Sequence, residues 1–298
     1  MKRNILLNPG PATTTDTVKQ ALMVPDICPR EEEFGELTQS VLKKIVEVVN
    51  GESTHSTVIF AGSGTAGVEA ALCSVVPENG KILILDNGAY GKRAETIIQA
   101  YGISHRTIRI EWGDFPDISQ IETVIKEEPK LTHFFFVHHE TTTGMLNPLA
   151  EILELCEKYE LDSIVDAMSS YAGLPIDLQK QPIDYLISSS NKCIQGMAGV
   201  SFVIANKERL KATSNVQPRN LYLNLWGNHS YIEQTGQFQF TPPVQIVYAL
   251  DQALVEFFKE TQSGRTARYV RSYETLLEGI EQTGLEMLLP ESQHSKLL

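Results

Sequence analysis

The sequence predicts an α/β protein. Its main body is a mainly parallel sheet flanked by helices, with a second, smaller layer formed by the two ends of the chain. Three observations point there. Short apolar runs rich in Val, Ile and Phe alternate with amphipathic stretches between residues 57 and 205. Several runs are apolar without a break, as strands buried on both faces are. Strand–helix alternation also requires crossover connections, which join parallel neighbours.

The runs at 57–61 (TVIFA), 81–86 (KILILD), 105–110, 133–138 (HFFFVH), 163–166, 185–189 (YLISS) and 200–205 (VSFVIA) read as strands. Between them, 64–76, 92–101, 118–128 and 149–159 read as helices. After Pro242 and Pro243 an apolar-periodic stretch runs to about residue 261. Ser263 and Gly264 are expected to break it, and another amphipathic helix is expected over 266–283. The charged segment 29–33 (PREEE) reads as a solvated turn or helix start. The expected organisation is an N-terminal arm at 1–15 that joins the small domain, a large domain at 16–262, and the start of the small domain at 263–298. Residues 295–298 read as the beginning of a strand.

Composition narrows the function classes. The 298 residues are 42% apolar and 21% charged, close to the globular average and long enough for a substantial core. A net charge of −12 argues against nucleic acid as a partner. No apolar run approaches the ~18 residues of a membrane helix. The apolar part of the start, Ile5 to Leu7, is too short for a signal peptide. Cys28, Cys73, Cys156 and Cys193 lie far apart, which disfavours disulfides and metal sites and suits a reducing cytoplasm.

Residues 62–67 match G-x-G-x-x-G between an expected strand and an expected helix, and Asp86 closes the next strand. This nearly matches the dinucleotide fingerprint. The loop offers backbone N–H groups, a positive helix end and the hydroxyls of Ser63 and Thr65, which suit any phosphate. Alone it leaves NAD, another phosphate ligand and a simple tight turn open.

Two further residues decide between these readings. Asp166 ends one expected strand, and Lys192 follows the next. Each alone has a plain structural explanation, as a helix cap or a solvated lysine. With the glycine loop they supply what pyridoxal 5′-phosphate needs: an amine for its aldehyde, a carboxylate for its ring nitrogen and a phosphate cradle. Tyr90 follows the intervening strand and is placed to stack on the ring. NAD leaves Asp166 and Lys192 without a role.

Blocks along the whole chain carry a family pattern: LNPGP (7–11), GSGT (62–65), NGAYG (87–91), HETTTGMLNP (139–148), DAMSS (166–170), DYLISS (184–189), NKCIQG (191–196) and FTPP (240–243). The sequence resembles the class V, fold-type-I pyridoxal-phosphate aminotransferases. ETTTG and NKCIQG point within them to the branch that moves the amino group of 2-aminoethylphosphonate to pyruvate. The resemblance implies that Lys192 carries the cofactor and then acts as base, and that Asp166 pairs with its ring nitrogen. Ser63, Gly64 and Thr65 would hold its phosphate, Tyr90 its ring and Thr141 its ring oxygen or Asp166. Asn191 would reach the phosphate, and Thr241 the phosphate of a neighbouring subunit, which makes a homodimer with a shared site. The resemblance also implies that the smaller C-terminal α/β domain is incomplete here, with further chain after Leu298 carrying an arginine for the substrate's acidic group. Arg30, Arg93 and Arg219 are the sequence candidates for meeting the phosphonate. An alanine- or serine:glyoxylate aminotransferase and an inactive truncated fragment are the alternatives.

Overall fold

Residues 4–297 are described by a computed structural model. Lys2, Arg3 and the last residue of the strand expected at 295–298 lie outside the described residues. In chain order the elements are α1 (Asp16–Gln20), α2 (Glu32–Glu47), β1 (His55–Ala61), α3 (Gly64–Val75), β2 (Lys81–Asp86), α4 (Ala89–Ala100), β3 (His105–Arg109), α5 (Ile118–Glu127), β4 (Leu131–Val137), β5 (His139–Glu140), β6 (Met145–Leu146), α6 (Leu149–Lys158), β7 (Asp162–Asp166), β8 (Tyr185–Ser189), β9 (Val200–Asn206), α7 (Lys207–Ala212), α8 (Leu225–Thr235), α9 (Val244–Glu260) and α10 (Gln262–Thr283). Seven strands form one sheet in the order β1-β9-β8-β7-β4-β2-β3, with β5 and β6 as a separate pair.

The sheet is parallel except at β9, which runs antiparallel to both β8 and β1. Its unbroken apolar strands are buried on both faces. In β4, Phe134, Phe135 and Phe136 are all fully buried. Side chains alternate faces along a strand. Phe134 and Phe136 therefore pack with residues of α2, α5, α6 and α9, while Phe135 packs on the other face with residues of α3 and α4.

Helix α2 grows out of the charged segment at 29–33. Its buried Phe34, Val41, Leu42, Ile45 and Val46 form one face, at the spacing of a helix covering a core. It packs against α9, and Lys44 pairs with Asp251 at 2.6 Å across that contact.

The structure corrects three expectations. Helix α4 begins at Ala89 rather than 92, which puts Tyr90 in its first turn and not in a loop. Ser263 and Gly264 do not break the helical run. The break is Thr261, at φ 70°, and its hydroxyl accepts the Gly264 N–H at 3.2 Å to cap α10. Residues 295–297 are not a strand. His294 alone bridges Met145, and the Ser295 N–H is taken by the Gly144 carbonyl at 3.0 Å, so the segment follows the turn at 141–144.

Leu254 is fully buried in α9 among core residues of several elements. Leu254→Ala is expected to lower stability by about 2–5 kcal/mol, read from the urea unfolding midpoint.

Candidate active site

Adjacent parallel strands present their carboxyl ends along one rim, where ligands of such sheets sit. Asp166 is the last residue of β7, registered between Val137 of β4 and Ile187 of β8. It is 4% exposed, and its Oδ1 accepts the Met168 N–H at 2.9 Å. Burial pushes its carboxyl up to about 6, against the pull of that N–H. The charge of Glu140 adds to the rise, and those of Lys192 and Arg93 oppose it.

Lys192 lies three residues beyond β8. A tight turn holds it there: the Gln195 N–H reaches the Lys192 carbonyl at 2.8 Å and the Gly196 N–H reaches the Ser190 carbonyl at 2.7 Å. The N-terminal arm closes over this turn, with Ala12 N–H on the Asn191 carbonyl at 2.8 Å. Gly10 touches the lysine so closely that a Cβ there would lie 2.5 Å from Lys192 Nζ. The sequence marked LNPGP as a motif, but its contact with Lys192 spans about 180 residues of chain and left no local signal.

Ser63 caps α3 in an extended conformation, and its hydroxyl makes no capping bond. Gly64 packs on the Met168 thioether, where a Cβ would sit 2.5 Å from the sulfur. The glycine loop thus adjoins the turn whose N–H holds Asp166. The same geometry removes the dinucleotide reading. That fingerprint needs a strand and its successor paired in parallel. Here β1 pairs with β9 alone, while β2, which ends in Asp86, lies four strands beyond β9 in the sheet order.

Tyr90 is half-buried in the first turn of α4, with the Arg93 guanidinium 4.9 Å from its ring centre. Its N–H reaches Glu140 Oε2 at 3.3 Å, and Thr142 donates to Glu140 Oε1 at 2.6 Å through its hydroxyl. Glu140 is fully buried, which raises its carboxyl above the usual range despite those bonds. It ties the turn carrying Thr141 to the helix carrying Tyr90, a role that sequence reading missed. Thr141 and His139 line a cavity of about 1090 Å³ together with Asn8, Pro9, Ser169 and Cys193. His139 is buried, and desolvation with the nearby charges of His138 and Lys192 pushes its imidazole down to about 3.

The other sequence candidates divide. Asn191 sits in the lysine turn and accepts from the Ser189 hydroxyl at 2.9 Å. Thr65 is half-buried in the first turn of α3. Thr241 is exposed. The ring of its neighbour Phe240 packs 5.1 Å from that of Tyr222, whose hydroxyl holds the Ala61 carbonyl beside the glycine loop. Among the three arginines, Arg30 is engaged by the carbonyls of Phe238 and Gln239, and Arg219 by that of Cys73. Arg93 alone of them stands beside Tyr90 and near Asp166.

A family model described as aminotransferase class-V matches residues 21–296. The chain belongs to the class V aminotransferase family. It is 39% identical over 99% of its length to a 2-aminoethylphosphonate–pyruvate transaminase of Pseudomonas fluorescens (strain Pf0-1), spanning 79% of that protein. With the transaminase of that name from Klebsiella pneumoniae it is 40% identical, over 99% of this chain and 80% of the other. An alanine–glyoxylate aminotransferase structure from Nostoc sp. superposes with a TM-score of 0.92 at 26% identity, covering 99% of this chain and 78% of the other. The cofactor of this family, and of this chain, is pyridoxal 5′-phosphate. The residues at the rim fit it. Asp166 is a buried carboxyl with one hydrogen bond from the chain, the Ser63 hydroxyl is unused by its own helix, and the charge of Lys192 is felt at Asp166. Among the described residues no helix is long and apolar enough to cross a membrane, and no acidic, histidine or cysteine cluster is arranged to hold a metal.

The raised carboxyl of Asp166 has a signed consequence for cofactor-free protein. The carboxyl ionises near 3.8 in the unfolded chain and near 6 in the folded chain, so stability falls as pH rises through that window. Asp166→Asn is expected to be the more stable at pH 8 by about 3 kcal/mol, with the gain gone below about pH 4. Urea unfolding at a series of pH values measures it. A gain that does not depend on pH would contradict the burial of an ionised carboxylate.

Proposed function

We propose that this chain transfers the amino group of 2-aminoethylphosphonate to pyruvate, giving phosphonoacetaldehyde and L-alanine. The observation that carries the reaction type is the meeting of Asp166 and Lys192 at adjacent strand ends beside the glycine loop. Support for the substrate comes from relatives of that name, 39–40% identical along 99% of the chain.

When bound, pyridoxal phosphate supplies an aldehyde that takes up an amino group and a ring that accepts electrons from the neighbouring carbon. Lys192 Nζ would hold it covalently until the substrate amine takes its place. The freed Nζ would then be the base that takes the proton from the substrate carbon bearing nitrogen and returns it on the other side of that nitrogen, at the cofactor's aldehyde carbon. Asp166, ionised in the loaded site, would hold the protonated ring nitrogen in a place without water, where the pairing is strong. Ser63, Gly64 and Thr65 would bind the phosphate through the first turn of α3, with Asn191 alongside. Tyr90 would lie on the ring, kept in position through its N–H on Glu140, and Thr141 would reach the ring oxygen or Asp166.

We also propose a homodimer in which Thr241 of the partner subunit completes the phosphate site. Its exposed position supports this reading. Division into an arm at 1–15, a large domain at 16–262 and a small domain from 263 is likewise proposed, as is a cytoplasmic location. Three of the four free cysteines are buried, which agrees with the latter.

The test is a screen of amine donors. Transfer from 2-aminoethylphosphonate to pyruvate is expected. Transfer from alanine or serine to glyoxylate, with none from the phosphonate, would replace this reading by its nearest rival. Lys192→Ala is expected to remove both turnover and the borohydride-sensitive yellow band. Gly10→Ala, which drives a methyl into Lys192, is expected to lower kcat about ten- to a hundredfold while the cofactor still binds.

A further inference from the structure

Resting on the assignment of Lys192 as the reactive amine, we propose that Arg265 is a positioning residue for it, acting on the backbone of the lysine turn. Arg265 is 2% exposed. Its Nη1 donates to the Cys193 carbonyl, one residue past the lysine, at 2.8 Å, and its Nε donates to Glu260 Oε2 at 2.7 Å. The guanidinium lies 5.2 Å from the centre of the Phe257 ring. A buried arginine persists only when its charge and N–H groups are matched. Here one edge meets a carboxylate and the other meets the carbonyl beside Lys192.

Glu260 is fixed in turn by Arg268, at 2.6 Å from Nε and 3.0 Å from Nη2. The same Nη2 reaches Gln195 Oε1 at 3.3 Å, and the Gln195 amide donates to the Tyr269 hydroxyl at 3.1 Å. Gln195 holds φ 65°, a left-handed conformation that a non-glycine residue keeps only when its surroundings impose it. From the opposite side, Cys193 Sγ donates to the Ser169 carbonyl at 3.1 Å.

The lysine turn is therefore gripped at residues 193 and 195 by side chains of the α9–α10 corner. Thr261 makes that corner by ending α9 at Glu260 and starting α10 at once. Removing Arg265 leaves the buried Cys193 carbonyl without its donor and Glu260 with one arginine. The turn then loosens, and Lys192 Nζ loses its fixed position.

Arg265→Met, Arg265→Lys and Glu260→Gln test this. Hydrogen exchange is followed over 190–197, with 244–254 of α9 as the internal control, in both loaded and cofactor-free protein. In parallel, kcat and KM for the amine donor and borohydride-fixed cofactor on Lys192 are measured. Arg265→Met is expected to speed exchange over 190–197 about tenfold while leaving 244–254 unchanged. It should lower kcat about 100-fold with little change in KM, because small displacements of a reacting group cost rate and not binding. Arg265→Lys, which keeps a donor for the Cys193 carbonyl, should recover part of both.

Unchanged exchange and kcat would overturn the proposal. So would exchange that rises equally in 244–254, which marks general destabilisation. If Arg265→Met does not fold, Glu260→Gln decides: it must raise exchange over 190–197 selectively and lower kcat, and no change there overturns the proposal. The assignment of Lys192 fails separately, if Lys192→Ala still fixes cofactor on borohydride treatment.

Discussion

Placing Asp166 at the end of β7 removes its carboxyl from water, and one backbone N–H from Met168 only partly offsets the lost solvation. The neighbourhood follows from that imbalance. Lys192 and Arg93 bring positive charge toward the carboxyl, while the equally buried Glu140 works against it. A buried carboxyl that feels the charge of a second buried acid makes the rim favour a cation, and a protonated ring nitrogen is a cation of suitable shape. The pairing of β7 with β8 sets where Asp166 stands relative to the lysine turn, because register along a buried sheet cannot slip without turning every side chain over.

The parts of the site that are carried by strands were the legible parts. Short apolar runs, several of them unbroken, marked all seven strands of the sheet, and Asp166 and Lys192 followed from where two of those runs stop. What sequence reading missed was decided by contacts distant along the chain. Helix α8 has a weak apolar face, with Leu225, Asn228 and Ile232 buried, so its periodicity was faint. Ser263 and Gly264 looked like a break, yet Thr261 supplied a cap that let α10 run through them. Tyr90 looked like a loop residue because NGAYG is rich in glycine. Its place in a helix depends on its N–H meeting the carboxylate of Glu140, 50 residues later. Arg265 carried no motif, and its part emerges only where α10 turns back against Cys193.

Two kinds of support surround the lysine. The arm and the α9–α10 corner approach it from different directions, and neither belongs to the sheet that presents it. The arm is itself fixed to α9, where the Thr15 hydroxyl meets the Glu256 carboxylate at 2.9 Å. One helix, α9, therefore supports both approaches to Lys192, through Glu256 toward the arm and through Glu260 toward the corner.

The reversed strand β9 bears on how the chain reaches this structure. Within the sheet β1 has β9 as its only neighbour, and the Gly62 N–H bonds the Gly199 carbonyl at 2.9 Å. Val200, the partner of Ala61, follows it by about 140 residues, which at roughly 5–20 residues per second is about 7–28 s of synthesis. Over that interval the apolar run of β1 is an unpaired strand, and the glycine loop beyond it has no fixed place. Asp166 and the strands beside it can assemble earlier from nearer segments. The phosphate end of the site is then built later than the strands that hold Asp166, and its completion rests on an edge pairing of high sequence separation.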